Sequence, residues 1–415
     1  MKFIELEQEV AKYMYTEDSG MIRVALASII ATRMRLGNPI WFTLIGPSSS
    51  GKSQVLRPLA MTDEKFIHRV DDLTENTLLS GIKVGAGKKD ISLLKRIGKL
   101  GIIVISDFTV IFSKGAESRN AILGQLRMVY DGEMIKYSGV NPEPITWKGK
   151  LGLIAGATPS IYGYFEEVAD MGERFIYFRM KDYDMEKATR IALNRTIYGE
   201  ELDQKLSDIY SEYIKEAVQD VVDEVPQVSE IIRERIIKMT MFAADLRTPT
   251  HYDKFARVVD KIPVTEGPMR IALQLEALAR GIMVMHHKDT GSWELEEQDI
   301  SYLEWCAYSL ANEERRACLK VLASLEWAEY ISTQAIADIV GLSTPVIGMV
   351  MQHLGAINVV ERTGTNDGLM WRIKKAETYR TIRRVNGIDE NIIINERGIT
   401  LEDGEQVENN NLDKF

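Results

Sequence analysis

Eight consecutive residues constrain this chain more than any others: Gly46-Pro47-Ser48-Ser49-Ser50-Gly51-Lys52-Ser53. The run from Ile40 to Ile45 before them is mostly apolar, and Gln54 to Ala60 after them is helix-compatible. That order predicts strand, glycine loop, helix, the setting in which G-x-x-x-x-G-K-S is the P-loop for nucleotide phosphates. Gly46 and Gly51 allow backbone angles and close approaches that a side chain would obstruct. Backbone N–H groups of Ser48 to Ser53 then point at a polyphosphate, aided by the positive end of the next helix. Lys52 is expected to reach the β/γ-phosphates of ATP, and Ser53 the Mg²⁺. A Ser/Gly-rich turn with a chance lysine is the bland alternative, and the flanking strand and helix argue against it.

The chain has 415 residues, 45% hydrophobic and 27% charged, enough for two or three domains with substantial cores. A net charge of −10 excludes a uniformly basic nucleic-acid blanket, so any polyanion site must be a local patch. Cys306 and Cys318 sit in helix-forming sequence and read as core thiols. The five histidines show no metal spacing, which argues against structural zinc. Without a signal peptide or an apolar run of about 18 residues, the expectation is a cytoplasmic protein with no membrane partner.

Residues 3 to about 36 carry helical periodicity and stop at Gly37-Asn38-Pro39. Phe66 to Val70 reads as a short strand, and Thr74 as the cap of a helix through Ser80. Val84 to Lys89 reads as an exposed loop. Gly101 to Ile105 is an unbroken apolar run, long enough only for a strand buried on both faces, and ends in Ser106-Asp107-Phe108. A helix is expected from Ser118 to Tyr130. Glu133–Tyr137 and Pro144–Lys148 look like two strands of a hairpin. Leu151 to Ala155 is another buried strand, ending at Gly156-Ala157-Thr158-Pro159, and Glu173-Arg174 leads into the apolar run Phe175 to Phe178. This alternation predicts an α/β three-layer core with a mostly parallel sheet, within a first domain of residues 1–182.

The stretch from the P-loop to residue 180 resembles an AAA+ ATPase, closest to the MCM-type helicases and the bacterial enhancer-binding activators. The chain also looks like AAA+ proteins carried by bacterial phages and integrative mobile elements. The resemblance rests on Ile105-Ser106-Asp107-Phe108 as the Walker B strand, Ala155-Gly156-Ala157-Thr158-Pro159 as the sensor 1 strand, and Glu173-Arg174-Phe175 as the arginine-finger segment. It implies Asp107 as the residue that binds Mg²⁺, usually through water, or polarises the attacking water, Thr158 as sensor 1, and Arg174 as a finger acting on a neighbouring subunit. One carboxylate stands where the family usually has two, because Ser106 occupies the other position. The alternative for Arg174 is an ion pair with a local acid such as Glu173 or Asp170.

From Tyr183 to about Leu310 the pattern is almost wholly helical, and the resemblance implies an α-helical lid over 183–310. Arg270, in Glu266-Gly267-Pro268-Met269-Arg270, is the first candidate for sensor 2 and Arg247 the second; a solvated arginine is the alternative for each. Residues 311–375 read as helix, helix, helix, hairpin, a C-terminal winged helix-turn-helix. Its third helix, the would-be recognition helix Thr344 to Leu354, has no Lys or Arg, so Gln352 and His353 alone could read bases. Basic residues lie on the wing instead: Arg362, Arg372, Lys374 and Lys375, with Arg380, Arg383 and Arg384 beyond. That suits backbone contacts without sequence reading, or a wing used only for protein contact. Residues 376–415 read as an acidic, partly disordered tail.

These features point to an ATP-hydrolysing motor acting on DNA, a helicase or translocase for phage or mobile-element replication, working as a homo-oligomeric ring such as a hexamer. In the MCM resemblance the hairpin grips DNA in the ring channel, with Lys136, Lys148 and Lys150 supplying charge. The alternative is an ATP-gated helicase loader or transcription regulator that remodels a protein partner; a nucleotide-binding regulator with negligible turnover is a third reading.

Overall fold

The computed structural model describes residues 1–15, 19–80, 83–84, 89–90, 92–137, 143–164, 174–181, 184–219, 224–253, 258–265, 267–365, 368–388, 392–395 and 398–401. The chain forms two compact units, Met1–Ile237 with Met269–Leu303, and Lys238–Pro268 with Glu304–Phe415. The helical stretch 183–310, read as one lid, is thus divided between them.

The first unit is mixed α/β. It opens with helices α1 (Phe3–Ala11) and α2 (Gly20–Arg33), followed by strand β1 (Trp41–Ile45) and helix α3 (Lys52–Met61). Strands β2 (Ile67–Arg69) and β3 (Leu100–Ile105) come next, then helix α4 (Ala116–Tyr130) and strands β4 (Lys150–Ala157) and β5 (Ile176–Arg179). The five strands make one parallel sheet in the order β2-β3-β4-β1-β5. Every residue of β1 and β5, and all but the first of β3 and β4, is buried, which is why these segments read as continuous apolar runs rather than alternating ones. Helix α2 is buried almost all round and packs on β3, β4 and the later helix Met269–Thr290. Between α4 and the sheet, Trp41 meets Tyr130 edge-on at 5.2 Å and Phe175 at 5.2 Å. Helices α5 (Met185–Asn194), α6 (Gly199–Gln219), the first part of α7 (Glu230–Arg247), α8 (Met269–Thr290) and most of α9 (Glu297–Tyr308) complete the unit.

The Glu133–Lys136 and Ile145–Lys148 segments pair antiparallel, as the sequence suggests. The helix expected at Thr74–Ser80 does not form: Thr74 N–H and its hydroxyl engage the Thr77 hydroxyl in a turn. Threonine side chains that bond locally compete with the helix backbone, and here they win. Most of the Val84–Lys89 loop lies outside the described residues.

The second unit holds α10 (Glu313–Ala323), α11 (Thr333–Val340), α12 (Thr344–Ala356), strands β6 (Val360–Thr365) and β7 (Gly368–Ile373), and α13 (Ala376–Asn386). Asn312 and Ser332 cap α10 and α11 by accepting from Arg315 N and Ala335 N. Strand β7 pairs antiparallel with β6 and with the two-residue strand Ile331–Ser332, which the sequence reading missed. Trp371 is buried at the centre and donates to the Thr333 hydroxyl at 2.9 Å. Arg315 is also buried; it donates to the carbonyls of Leu246 and Thr248, and burial pushes its pKa down to about 10. Helix α13 corrects the expectation of a tail from residue 376. It buries Ile382 and Val385, and Arg383 donates to the Ala323 carbonyl at 2.9 Å. Its basic composition hid an apolar stripe. The acidic end after residue 401 lies outside the described residues. Among the described residues no single helix is long and apolar enough to cross a membrane.

Candidate nucleotide-phosphate site

The parallel sheet fixes where a site can form. Strands β1, β4 and β3 are neighbours, so their carboxyl ends lie side by side, the place where open α/β sheets bind ligands. The P-loop leaves β1, Thr158 follows β4, and Asp107 follows β3. Backbone bonds knit the three together: Gly46 N–H donates to the Ala157 carbonyl at 3.1 Å, and Phe108 N–H to the Gly156 carbonyl at 2.7 Å. Gly156 is required by close approach, since a Cβ there would stand 2.6 Å from the Ser106 carbonyl oxygen.

The loop has the predicted form. Gly51 adopts φ +88, a left-handed angle that favours glycine, and stands at the N-cap of α3. A Cβ on Gly46 would stand 2.7 Å from the Met180 sulfur and 2.9 Å from the Ser50 hydroxyl. Pro47, Ser48, Ser49 and Ser53 are exposed, and the Ser50 hydroxyl contacts the Met180 sulfur at 3.2 Å. Lys52 is only 9% exposed. Its ammonium donates to the carbonyls of Gly46 at 2.7 Å and Pro47 at 2.5 Å. Burial lowers its pKa, and the negative charge of Asp107 opposes that fall. The ammonium also donates to the Ser50 hydroxyl at 3.4 Å, and a buried cation on neutral acceptors is an electrostatic invitation to phosphate oxygens.

Asp107 is exposed and accepts from both the backbone N–H and the hydroxyl of Thr109. That fixes one carboxylate oxygen and leaves the group turned to solvent beside the loop. Beside it the Ser106 hydroxyl is buried with no hydrogen-bond partner among the described residues. Thr158 is half-buried, its hydroxyl 2.6 Å from that of Ser160. Ser53, Asp107 and phosphate oxygens suit Mg²⁺, a hard ion that takes few protein ligands at such sites. The donor set therefore fits a magnesium-bound polyphosphate.

A cavity of about 380 Å³ adjoins the loop. Ser48 to Gly51 form one wall, and Tyr13, Met14, Phe178, Met180, Met185 and Ile191 supply aromatic and apolar surface. Two cations, Lys181 and Arg195, also line it. These residues carry no motif of their own in the sequence. They come from the end of α1, the end of β5 and from α5, and only the sheet order that places β5 beside β1 brings them to the loop.

The arginines fall elsewhere. Arg174 precedes β5, at the amino edge of the sheet, opposite the P-loop edge. It is 5% exposed, and one guanidinium nitrogen reaches both carboxylate oxygens of Asp131, at 2.9 and 3.2 Å. Its guanidinium also lies 5.5 Å from the Tyr130 ring centroid. The expected finger is therefore engaged within its own chain, and the paired acid is Asp131; Glu173 and Asp170 lie outside the described residues. Arg270 is exposed in the first turn of α8, and its charge acts on Tyr130. It does not line the P-loop cavity. Arg247 is buried in the second unit.

The candidate nucleic-acid residues also separate. Lys136 donates to the Glu75 carbonyl at 3.3 Å and to Asn76 at 3.1 Å, while Lys148 pairs with Glu133 at 2.9 Å. In the second unit Arg372 pairs with Glu361 and lies over the Tyr330 ring, Lys374 donates to Asn358, and Arg384 pairs with Glu304. Arg362 and Lys375 are exposed.

No known family model matches the chain, and no curated protein matches it.

Proposed function

We propose that the first unit binds ATP with Mg²⁺ and hydrolyses it, that it is an AAA+-type core, and that the chain is a motor on DNA, a helicase or translocase assembled as a homo-oligomeric ring. The observation that carries the reading is the meeting of Lys52, Asp107 and Thr158 at the carboxyl ends of three adjacent strands. Backbone N–H groups of the loop and the Lys52 ammonium bind the β/γ-phosphates. Ser53 and Asp107 hold the magnesium, which supplies charge neutralisation on the phosphate oxygens. In this reading the Thr158 hydroxyl orients the attacking water. The aromatic and apolar wall of the adjoining cavity takes the nucleoside. A winged helix in the second unit, made by α10 to α12 with β6 and β7, and a lid made from the helices after β5 complete the reading. With Ser106 in place of a second carboxylate, one group must both hold the metal and polarise the water, so turnover is slow.

The test is single-turnover ATP hydrolysis by the purified protein, with and without DNA, alongside strand separation on a forked duplex. The proposal expects Lys52-dependent hydrolysis that DNA stimulates. ATP-dependent capture of a protein partner, with hydrolysis indifferent to DNA, would favour the second reading, an ATP-gated loader or regulator. That reading has its own support: Ile339, Leu342 and Val346 are exposed on and between α11 and α12, where a DNA reader would carry Arg or Lys.

A further inference from the structure

The stretch between α7 and α8 is more than a connection. The Thr248 and Thr265 hydroxyls lie 3.0 Å apart and tie its ends together. Buried Arg315, from α10, donates to the Thr248 carbonyl at 3.1 Å and to the Thr250 hydroxyl at 3.2 Å. His251 and Asp260 meet at 2.5 Å. Beyond them Tyr252 pairs with Val259 and Asp253 with Val258, a short antiparallel ribbon. The result is an arm fixed at its base, in the same unit as α10 to α13.

This arm lies on α12. The strand Val258–Val259 packs against the helix, and the Tyr252 ring meets the His353 ring edge-on at 5.6 Å. His353 Nε2 is buried with no hydrogen-bond partner among the described residues. Gln352 and Ala356 share a groove of about 560 Å³ with Val258, Val259, Arg362 and Trp371, between the arm and the wing. The two side chains of α12 able to read bases thus both lie against the arm. The cover is light: none of the described residues from 250 to 264 is buried, and Ile262 is 91% exposed. A two-pair ribbon with so little burial is marginal on its own and opens at small cost, while Arg315 keeps its base in the core. A major groove about 12 Å wide admits one helix, not a helix with a ribbon along its flank.

We infer that the arm is a displaceable cover on the third helix of the winged helix: closed, it keeps Gln352 and His353 from base edges, and open, it admits duplex DNA to α12. In the closed state the exposed Arg362 and Lys375 can still meet phosphates, so binding follows the backbone without reading sequence. The inference rests on the nucleic-acid part of the proposed function and adds a regulated state to it.

The experiment compares three forms of the full chain. They are the wild type, a loosened arm (Tyr252→Ala/Val259→Ala), and a locked arm (Val258→Cys/Ala356→Cys joined across the groove by a bis-maleimide). Cys306 and Cys318 are buried and stay unreacted. Duplex affinity is read by fluorescence anisotropy, and the cover itself by NMR titration of the His353 imidazole, which needs no DNA. The loosened form should bind duplex at least tenfold more tightly, as follows when less than about a tenth of the wild type is open. Gln352→Ala should abolish that gain. The His353 pKa should climb from about 4 toward 6.5 in the loosened form and stay low in the locked one, which binds no better than wild type. Melting temperature and ATP affinity should hold at wild-type values in all three. Equal duplex affinity in the three forms overturns the cover and leaves the DNA reading standing. A gain untouched by Gln352→Ala overturns α12 as the covered surface. Absence of duplex binding in every form, with His353 titrating freely in the loosened one, removes the DNA reading of the winged helix and this inference with it.

Discussion

Lys52 sits in the loop with its ammonium on backbone carbonyls, and burial pushes its pKa below that of an ordinary lysine. A phosphate dianion would favour the charged form and raise the pKa again. ATP binding must therefore take up a proton once the pH exceeds the free value. The dissociation constant should rise with alkaline pH in the wild type and stay flat in Lys52→Arg, whose guanidinium keeps its charge. Isothermal titration across pH 7 to 10 checks this; parallel profiles would contradict it. His353 gives a second pH signature. Burial and the Arg315 charge push its pKa down to about 4, from an ordinary 6.5. As pH falls through 6.5 the unfolded chain takes a proton that the folded chain refuses, so stability declines on acidification until about pH 4. His353→Phe should flatten that part of the urea-midpoint profile; an unchanged profile would show that His353 is not its source. The charge pattern of the sequence carried the loop residues one by one, because the P-loop is a local motif whose meaning lies in its spacing. It did not carry Lys181, Arg195 or Tyr13, which reach the loop only through tertiary folding.

At the scale of elements, the sheet edges divide the chemistry. The carboxyl edge carries the proposed phosphate site and the amino edge carries Arg174 with Asp131 and Tyr130. Arg174→Ala should cost stability rather than turnover, about 1–3 kcal/mol, less than a fully buried pair because Asp131 is half in water. Urea unfolding of Arg174→Ala and Asp131→Asn should show similar losses, with ATPase per folded molecule preserved. Loss of turnover in Arg174→Ala alone, rescued by mixing with Lys52→Ala protomers, would restore the trans-acting finger. Gly156→Ala should cost about 1–3 kcal/mol, because the new methyl meets the Ser106 carbonyl and a Leu56 methyl. A neutral Gly156→Ala, by the same unfolding assay, would show that the β3–β4 edge yields easily. The strands were legible because burial on both faces removes polar residues and leaves unbroken apolar runs. The helix at Thr74–Ser80 misled because hydroxyls that cap a helix also close a turn. Helix α13 was missed because Arg383 and Arg384, which suggested a nucleic-acid surface, are spent inside the unit on Ala323 and Glu304.

For the molecule as a whole, the central claim is that the first unit is a magnesium-dependent ATP site whose working parts are Lys52, Ser53, Asp107 and Thr158. The two-unit division was not legible, because α7 and α9 each run from one unit into the other without a break in their helical pattern. Partner and ring size lie downstream of the site: a chain that binds no nucleotide is no motor of any kind. Calorimetric titration of ATP with Mg²⁺ into the wild-type protein and into Lys52→Ala, each shown to be folded by its melting curve, tests the claim most directly. The account predicts saturable binding by the wild type that weakens when Mg²⁺ is withheld, and at least a hundredfold loss in Lys52→Ala, worth about 2.8 kcal/mol. Equal ATP affinity in the two folded proteins, or none in the wild type, would contradict it.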